Sequence, residues 1–368
     1  MPITTFREKR CAVSSSSQEG LVFPPRLCYL NIDQRMLVMR MINKLLRSVA
    51  FALIIAYAAC LGGCAPRWNT ALGYYFDTFV SLQGRCPESV LQEALQECAR
   101  YEALLSKNKQ GSDVWRLNHA QGETVAVSEE TLDILKMAQE IAQASGGWFD
   151  VTIAPASALW DFKSETPALP AADVLEQAAA LVDYTQVVIS QAGVRLGDGQ
   201  SIDLGGIAKG YVTDALVSYL ADRGVTDALV NIGGNVKALG QNEKQSSWQI
   251  AIQDPGGQYG RSVGVVSLQS GYSLVTSGVY ERGFDLDGIR YHHILDPHTG
   301  YPIQNGVLSV SILAKSSLLA DALSTACFAL GTEDGLALAK SYGAEAFFIL
   351  EDRNTMYTEG MEVWLNLG

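Results

Sequence analysis

Apolar and polar positions follow two periods along this chain, and each period predicts one kind of element. Spacing of three and four residues predicts helices over residues 87–105, 129–145, 170–183, 211–220 and 318–330. Alternation of apolar and polar residues predicts strands over residues 72–82, 201–204, 228–232, 248–253, 263–268 and 307–313. Residues 148–155 are predicted to be extended, and residues 273–278 and 292–300 to be polar loops. Because helices and strands mix without regular β-α alternation, the predicted fold class is α+β.

The first 63 residues carry a different pattern, which is typical of an export signal. Basic residues up to Arg47 precede an apolar run over residues 49–61, and the sequence L-G-G-C then ends at Cys64. This ending resembles the bacterial lipoprotein processing site, so residues 1–63 are predicted to be a leader and signal peptide. A membrane-spanning helix is the alternative, but about 13 apolar residues are few against the roughly 20 that a bilayer requires.

Such a signal predicts the order of domains and the location of the protein. Cys64 would be the lipid-modified first residue of the mature chain, residues 64–71 a tether, and residues 72–368 the functional domain. The protein would then lie on the extracytoplasmic face of the bacterial cell membrane. Natural translation is predicted to start at one of three methionines, Met36, Met39 or Met41.

Composition and charge limit the classes of function. With 48% hydrophobic and 18% charged residues among 368, the chain is a folded protein that can bury a large core. Residues 1–63 hold eight of its 27 basic and three of its 39 acidic residues, so the formal net charge of −12 becomes −17 without them. So acidic a protein argues against nucleic acid as a partner. A phosphorylated substrate would need local cations or a divalent metal ion.

Cysteine use argues against two further kinds of site. Of the seven cysteines, Cys86, Cys98 and Cys327 follow Cys64. At most one disulfide can form among these three; Cys86 with Cys98 is one such pair, although spacing does not imply it. The sequence has no C-x-x-C pair, which argues against a structural zinc site and a thioredoxin-type redox site.

The stretch from Ser201 to Tyr211, S-I-D-L-G-G-I-A-K-G-Y, places an acid, two glycines and a lysine where a predicted strand meets a predicted helix. Glycine there lets a ligand approach the main chain, and the first amides of the helix can point at an anion. Lys209 in the first turn opposes the helix dipole, which is easier to explain if it faces a phosphate. The alternative is a glycine-rich turn with an exposed lysine. It is not a Walker loop, since no Ser or Thr follows the lysine.

Oxygen ligands for a metal ion are predicted on the helix over residues 318–330. Asp321, Ser324 and Thr325 share one face of it, at spacings of three and four. With a main-chain carbonyl near Gly206, they would form the incomplete oxygen shell that Mg²⁺ accepts when phosphates and water supply the rest. The alternative is a polar helix face on which Asp321 caps the N-terminus.

Histidines and aromatic residues supply further candidates. Three of the four histidines fall within residues 292–298. There, one could act as a general base near neutral pH, two could bind zinc, or the loop could simply be hydrogen-bonded. The hydroxyl of Thr276 could hold a phosphate or a flavin edge. Phe76, Trp148 and Phe149 could stack on an aromatic base, although such residues are more often core.

These motifs, taken in order, resemble those of the ApbE family of FAD:protein FMN transferases. They cover residues 72–345 and read F-D-T-F-V-S-L, S-D-V-W-R-L-N, W-F-D-V-T-I-A-P followed by L-W-D-F, S-I-D-L-G-G-I-A-K-G-Y, N-I-G-G-N, V-T-S-G, H-I-L-D-P-H-T-G-Y-P and A-D-A-L-S-T-A. The resemblance implies an α+β, ApbE-like fold related to the T-fold, with mixed sheets, packed helices and a flavin site between two subdomains.

The same resemblance implies an activity and its residues. The enzyme would split FAD at its pyrophosphate, join FMN through a phosphoester to a threonine hydroxyl of a target flavoprotein, and release AMP, with Mg²⁺ as cofactor. His293 would activate the acceptor hydroxyl, while the carbonyl of Gly206, with Asp321 and Thr325, would hold Mg²⁺. The positions that would contact the flavin are Phe76, Trp148, Phe149, Asp150, Asp203, Lys209 and Leu295.

The sequence departs from the family pattern at three positions. Lys209 stands where some members carry glutamate, Ser324 where some carry a second aspartate, and Asn108 where others carry an aromatic residue. We therefore expect a phosphate contact at Lys209, weaker metal binding, and one stacking contact fewer. Two other functions fit the same residues: an FAD pyrophosphatase that yields FMN and AMP, and a non-catalytic lipoprotein that binds flavin.

Overall fold

The computed structural model describes residues 32–61, 67–164, 166–256 and 260–367. They belong to two compact units, Met1–Ala65 and Pro66–Gly368. In the first unit the described residues form one helix, α1 (Ile32–Leu61). No helix in the described ranges combines the length and the apolar character needed to cross a membrane. The predicted leader lies only partly within these ranges, and Cys64 lies outside them, so the lipid anchor stays a prediction.

The helices of the second unit begin and end where the sequence supplies caps. Ser112, Ser128 and Ser316 each precede a helix and accept a hydrogen bond from the amide of its third residue. Gly331, at φ +81°, ends α8. Within the described ranges, the helices of this unit are α2 (Glu88–Leu105), α3 (Asp113–Asn118), α4 (Glu129–Ala144), α5 (Ala154–Ser157), α6 (Ala172–Ala179), α7 (Ala208–Asp222), α8 (Ser317–Leu330) and α9 (Thr332–Ser341).

The strands of this unit confirm the α+β class, and every strand pair in the part of the chain that is described is antiparallel. They are β1 (Trp68–Tyr75), β2 (Thr78–Arg85), β3 (Val188–Ser190), β4 (Gly193–Arg195), β5 (Ala228–Ile232), β6 (Asn235–Leu239), β7 (Trp248–Gln253), β8 (Ser262–Leu268), β9 (Ser273–Gly278), β10 (Gly283–Leu286), β11 (Ile289–His292), β12 (Val307–Ala314), β13 (Glu345–Leu350), β14 (Thr355–Tyr357) and β15 (Leu365–Leu367). The largest sheet has the order β1-β2-β5-β6-β9-β12-β13-β14, and a smaller one the order β15-β8-β7.

Alternate residues of the large sheet face two different cores, as the two-residue period of a strand requires. On one face, Ile312 and Phe348 pack into a core shared with α2, α7 and α8. On the other face, Leu313 and Phe347 pack against the three-stranded sheet. The helices α7 and α8 therefore lie side by side on the same face of the large sheet, and their contact forms one side of the candidate site.

Most of the long predicted elements are confirmed. The predicted helices over residues 87–105, 129–145, 211–220 and 318–330 correspond to α2, α4, α7 and α8. The predicted strands over residues 228–232, 248–253, 263–268 and 307–313 correspond to β5, β7, β8 and β12. The helix predicted over residues 170–183 is shorter, since α6 spans Ala172–Ala179. In most of these segments the apolar spacing and the burial agree, but in β12 the polar residues Ser309 and Ser311 are buried too.

Two predictions near the start of the second unit are wrong. Residues 72–82 form no single strand but the hairpin β1–β2, and β1 begins inside the predicted tether. The hairpin turn is Phe76–Asp77, and both residues have positive φ, of 52° and 60°. Since neither is a glycine, no turn signal marks this position in the sequence. Residues 148–155 are not extended throughout, because a short 3₁₀ helix (Val151–Ile153) and α5 occupy most of them.

Two further predictions are wrong. For residues 201–204 a side chain takes the place of a neighbouring strand, and for residues 273–278 neighbouring groups satisfy the buried polar side chains. Residues 201–204 belong to no strand; the side chain of Asn118 pairs with both the amide and the carbonyl of Ile202, at 2.7 and 2.9 Å. Residues 273–278 are not a loop but β9, in the middle of the large sheet. Its buried Ser273 donates to the Val236 carbonyl at 2.9 Å, which makes a polar strand tolerable there.

Candidate active site

A cavity of about 820 Å³ opens within the second unit. Its walls come from the β1–β2 turn, the end of α2, residues 148–163 and 203–209, β9, the loops on either side of β10–β11, and α8. It collects nearly every predicted site residue. Those that line it are Phe76, Trp148, Phe149, Asp150, Asp203, Gly206, Lys209, Thr276, His293, Leu295, Asp321 and Thr325.

One side of the cavity is the crossing of α7 and α8, where each helix caps the other. The carboxylate of Asp321, from α8, accepts a hydrogen bond from the amide of Gly210 in the first turn of α7, at 2.8 Å. In return Asp214, from α7, accepts from the amides of Ser317 and Leu318 at 2.9 and 3.1 Å. Both carboxylates thus satisfy amides that have no partner within their own helix.

Gly210 makes this crossing sterically possible. A Cβ atom at this position would lie 2.2 Å from the Ser317 carbonyl oxygen and 2.7 Å from the Cβ of Asp321. Only glycine lets the two backbones approach so closely. We call this side, formed by Lys209, Gly210, Asp321 and Thr325, the helix wall.

Lys209 lies in the first turn of α7, as predicted, and its ammonium stays near the helix wall. It donates to the Gly205 carbonyl at 3.0 Å and lies 3.6 Å from the Asp321 carboxylate. The side chain is largely buried, so the alternative of an exposed lysine is wrong. Asp321 is also not the cap of its own helix, since Ser316 holds that position. The structure therefore puts one cation and one carboxylate together on the cavity surface.

The oxygen atoms at the helix wall fit a hard cation. Asp321 and Thr325 both line the cavity, and a Cβ at Gly206 would lie 3.3 Å from the Thr325 hydroxyl, so the main chain at Gly206 comes close to that oxygen. A carboxylate, a hydroxyl and a carbonyl are the ligand types that Mg²⁺ prefers. The described residues contain no cluster of three His, Cys, Asp or Glu side chains able to hold a metal. Substrate phosphates and water would have to complete such a shell.

Ser324 is placed differently from the other predicted metal ligands. It is fully buried, donates to the main-chain carbonyl of Asp321 at 2.8 Å, and shares a hydrogen bond of 2.8 Å with the Ser277 hydroxyl. It does not line the cavity. The structure therefore does not bring Ser324 to the place where a metal ion would meet Asp321 and Thr325.

The β1–β2 turn forms another side of the cavity, and its backbone is strained. Phe76 and Asp77 both lie in the left-handed region, which is costly for a bulky residue such as Phe76. The Phe76 amide donates to the Glu102 carboxylate at 2.7 Å, which helps to hold the turn. Backbone strain of this kind persists where surrounding contacts determine it, and it is frequent at functional sites.

Three side chains from three segments converge on Asp77. Its carboxylate accepts hydrogen bonds from Lys163 and from the Tyr74 hydroxyl, the latter at 2.9 Å, and lies 3.4 Å from the Arg282 guanidinium. Chiefly through Lys163, these groups hold the pKa of Asp77 below its usual value. We call the group formed by Phe76, Asp77, Lys163, Arg282 and His293 the hairpin wall.

His293 is held against the main chain of Arg282. Its amide and its Nδ1 both face the Arg282 carbonyl oxygen, at 3.2 and 3.4 Å. Because a carbonyl only accepts, Nδ1 carries the proton and Nε2 keeps a free lone pair. Burial, and then the charges of Arg282, His292 and Lys209, lower the pKa of His293 to about 3. The imidazole is therefore neutral near pH 7, as a general base must be.

The other histidines of this loop have different partners. The Nε2 of His292 donates to the Ile303 carbonyl at 2.8 Å, and its ring is buried, with its pKa lowered to about 4 by that burial. The Nδ1 of His298 lies 2.9 Å from the carboxylate of Asp296. The three rings thus have separate partners, and the structure does not assemble the zinc site considered from the sequence.

Two predicted carboxylates are fully engaged with the protein. Asp203 pairs with Lys107 at 2.7 Å; burial opposes its ionisation, but the Lys107 ammonium, the Gly205 amide and the Arg282 charge together hold the pKa of Asp203 below its usual value. Asp150 accepts from the amides of Thr152 and Tyr184, each at 2.8 Å, and burial raises its pKa. These contacts fix the segments on which both residues lie.

Apolar side chains supply the remaining surfaces of the cavity. Phe149 and Leu295 are buried, while Trp148 is half-buried and meets the ring of His298 edge-on, with 4.9 Å between centroids. Thr276 shares a hydrogen bond of 2.7 Å with the Ser311 hydroxyl. A planar aromatic ligand could lie against such surfaces with polar groups at its edge.

Several charged residues of this cavity were not marked by the sequence. Glu102, Lys107, Lys163 and Arg282 are among them. No motif surrounds them, and each works through a distant partner: Lys107 meets Asp203, 96 positions later, and Arg282 meets Asp77 across the chain. Only the folded arrangement reveals these pairs.

Known proteins resemble this chain in both sequence and fold. The ApbE family model matches residues 75–348. An FAD:protein FMN transferase of Treponema pallidum is 37% identical over 292 residues, which are 74% of this chain and 80% of that protein. One of Klebsiella pneumoniae is 34% identical over 272 residues, 73% of this chain and 84% of that protein. The crystal structure of the ApbE protein of Thermotoga maritima superposes with a TM-score of 0.75 at 32% identity, covering 81% of this chain and 99% of that chain.

These relatives first define the class of protein, which is an enzyme that transfers a chemical group. Within that class, the chain belongs to the ApbE family. The predicted family, the α+β fold class and the transferase class are confirmed. The roles of the individual site residues stay predictions, which the geometry above makes specific.

Proposed function

We propose that this protein transfers FMN from FAD to a threonine hydroxyl of a target flavoprotein in an Mg²⁺-dependent reaction that releases AMP. The observation that carries the proposal is one cavity that holds both the oxygen ligands and cation of the helix wall and the neutral His293 of the hairpin wall. The names of the relatives, FAD:protein FMN transferase, support the same reaction.

FAD would bind with its ring system against the apolar surfaces of the cavity. Phe76, Trp148 and Leu295 offer faces for the isoalloxazine ring, and Thr276 lies nearby as a hydrogen-bonding group. The pyrophosphate would lie near the start of α7, where Lys209 supplies positive charge and the helix dipole favours an anion. Local cations of this kind are required because the whole chain is acidic.

The helix wall would hold the metal ion and the phosphates. The residues that would hold Mg²⁺ are Asp321, Thr325 and the carbonyl of Gly206, and the bound ion would neutralise charge on the pyrophosphate oxygens. Lys209, now 3.6 Å from Asp321, is placed to interact with the oxygens that remain. Gly210 keeps Asp321 oriented through its main-chain amide.

His293 would act on the acceptor. Its Nε2 takes the proton of the threonine hydroxyl while that oxygen forms a bond with the phosphorus on the FMN side. The bond from this phosphorus to the bridging oxygen breaks, and AMP leaves with that oxygen and both bonding electrons. The proton on His293 then passes to AMP or to water. The hydrogen bond from Nδ1 to Arg282 keeps Nε2 free for this task.

Mass measurement of an acceptor protein tests the proposal. The protein is incubated with FAD, Mg²⁺ and the polypeptide that the Vibrio cholerae FAD:protein FMN transferase modifies, with that enzyme as positive control. A gain of one FMN on the acceptor supports the transferase, free FMN with AMP indicates a pyrophosphatase, and unchanged FAD indicates a flavin binder. Asp321→Ala should abolish the metal-dependent transfer; full activity in this variant would contradict the metal assignment.

We also propose that the protein is anchored by lipid at Cys64 on the extracytoplasmic face of the membrane. The sequence L-G-G-C after an apolar run supports this location. Expression of Cys64→Ala in a bacterial host should move the protein from the membrane fraction to the soluble or uncleaved fraction. An unchanged distribution and unchanged mass of the mature N-terminus would contradict the anchor.

A further inference from the structure

The outward face of the β1–β2 hairpin carries an exposed apolar patch. Leu72, Tyr74 and Phe79 are 72%, 59% and 79% exposed. Tyr74 and Phe79 are direct cross-strand partners whose rings meet edge-on at 5.5 Å, and Leu72 lies two residues along β1 on the same face. We call these three residues the hairpin patch. A contiguous patch of this kind is typical of a contact site rather than of a surface left to water.

The hairpin patch is continuous with the cavity. Tyr74 also lines the cavity, and its hydroxyl donates to Asp77 in the hairpin turn at 2.9 Å. Asp77 in turn lies 3.4 Å from Arg282, whose carbonyl holds His293. A chain that lies on the patch can therefore reach the candidate base by passing over the hairpin turn.

The outer edge of β1 can accept a partner strand. β1 is the first strand of the large sheet and, among the residues that the structure describes, it pairs with β2 on one side only. The Phe79 carbonyl accepts from the Gly233 amide on the β5 side. Its cross-strand partner Tyr74 therefore turns its own main-chain groups away from β2, and so does Leu72 two positions earlier. An extended peptide can pair with such an edge.

We propose that the hairpin patch and the outer edge of β1 bind an extended segment of the acceptor polypeptide, next to its acceptor threonine. This proposal rests on the proposed function, which requires a protein substrate to enter the cavity. Apolar side chains of that segment would cover Leu72 and Phe79, and its hydroxyl would reach His293 past Asp77. A second copy of the chain, or a bilayer, seated on the same patch would cover the rim that the substrate must cross.

Exposed substitutions test the patch without disturbing the fold. With the Vibrio cholerae acceptor as probe, the double variant Leu72→Ser/Phe79→Ser should raise KM for the acceptor at least about tenfold. Its kcat at saturating acceptor and its Kd for FAD should stay within about twofold of wild type. Val363→Ser is the matched control, because Val363 is 83% exposed and does not line the cavity; it should change neither constant. An unchanged KM in the double variant would overturn the proposal.

A photoreactive benzoylphenylalanine at position 79 identifies the occupant directly. We expect a light-dependent crosslink to the acceptor, and none from the same group at position 363. A crosslink to a second copy of the chain, or lipid attachment in vesicles without an acceptor crosslink, would overturn the proposal. If the wild-type protein transfers no FMN, the proposed function fails, and the crosslink alone then decides whether the patch binds the acceptor polypeptide.

Discussion

The two walls of the cavity are built in different ways. At the helix wall, the buried carboxylate of Asp321 accepts a hydrogen bond from the main-chain amide of Gly210, and the absence of a side chain at Gly210 lets α7 and α8 touch. At the hairpin wall, the exposed side chains of Lys163 and Arg282, from two different loops, meet at Asp77 on a turn whose backbone is strained. The first wall belongs to the core of the protein, while the second is an assembly on its surface.

This difference separates two tasks. A carboxylate that accepts from buried amides contributes about 1.5–3 kcal/mol and fixes positions. An exposed ion pair contributes about 0–1 kcal/mol. We therefore expect changes at the helix wall to affect folding and FAD binding together. Changes at Asp77, Arg282 or His293 of the hairpin wall should affect transfer to the acceptor while FAD binding and stability stay nearly constant.

His293→Ala, a change at the hairpin wall, should have the largest effect of the variants compared here. Loss of a general base should lower the rate of FMN transfer about 10²–10⁴-fold. The Kd for FAD and the unfolding midpoint should stay close to wild type, because within the described part of the chain the ring has a hydrogen bond to the Arg282 carbonyl alone. Single-turnover transfer and FAD titration measure the two quantities. His298→Ala, in the same loop, is the control; weakened FAD binding with an unchanged transfer rate in His293→Ala would contradict the assignment.

Gly210→Ala should show the reverse pattern. The new methyl group would meet the Ser317 carbonyl at 2.2 Å, so the helices must separate and the cap from Asp321 must weaken. Overpacking of this kind costs about 1–3 kcal/mol of unfolding free energy, and more where backbone must move. Urea unfolding and FAD titration should both report a loss. Ser218→Ala, on the exposed face of α7, should be nearly neutral; equal stabilities of the two variants would contradict the helix-wall description.

The sequence predicted the helix wall far better than the hairpin wall, and the physical reason is local. The pattern around Asp321 and Thr325 is a helix face, and the stretch around Lys209 combines glycines with the start of a helix. Both signals lie within a few residues of the groups that act. Even so, the contact of Asp321 with Gly210, 111 positions earlier, needed the structure.

The hairpin wall depends on partners that no local pattern contains. Phe76 and Asp77 form a tight turn without glycine, held by Glu102 from α2, so residues 72–82 resembled one strand. Lys163 and Arg282 meet at Asp77, which lies far from both of them in the sequence. The polar strand β9 was likewise not recognised from the sequence. Its hydroxyls are satisfied by hydrogen bonds to neighbouring strands and to α8, which are distant in sequence.

Arg282→Gln should change the pH dependence of transfer more than its maximal rate. Burial and then the Arg282 charge keep the pKa of His293 low, so the loss of that charge should raise the pKa. The neutral ring is the active form, and activity is lost as pH falls through this pKa. The acid limb of kcat/KM should therefore move to higher pH, by up to about one unit. His292 and Lys209, which also act on His293, are unchanged.

Arg290→Gln is the control for this shift, because Arg290 lowers the pKa of His292 and is not among the charges that act on His293. Its acid limb should coincide with that of the wild-type protein. An acid limb in Arg282→Gln that also coincides with wild type would show that the guanidinium does not set the protonation of His293.

The smallest expected effect is that of Asp77→Asn. Asparagine tolerates the positive φ of this turn position, so the variant removes only the charge that collects Lys163 and Arg282. Stability at pH 7 should fall by less than about 1 kcal/mol, as for other exposed pairs. Because the pKa of Asp77 is lowered in the folded protein, this difference should disappear as pH falls below the usual aspartate range.

Turnover distinguishes the role of Asp77 from that of an ordinary surface pair. A loosened Arg282 carbonyl should lower kcat/KM for the acceptor a few-fold, by about the factor of five or less that 1 kcal/mol represents. Asp285 on β10 forms an exposed ion pair with Arg290 on β11, and Asp285→Asn breaks it. This variant should cost similar stability and leave turnover unchanged. If both variants leave turnover at the wild-type level, then His293 is positioned without Asp77, and the hairpin wall reduces to the turn and the histidine loop acting independently.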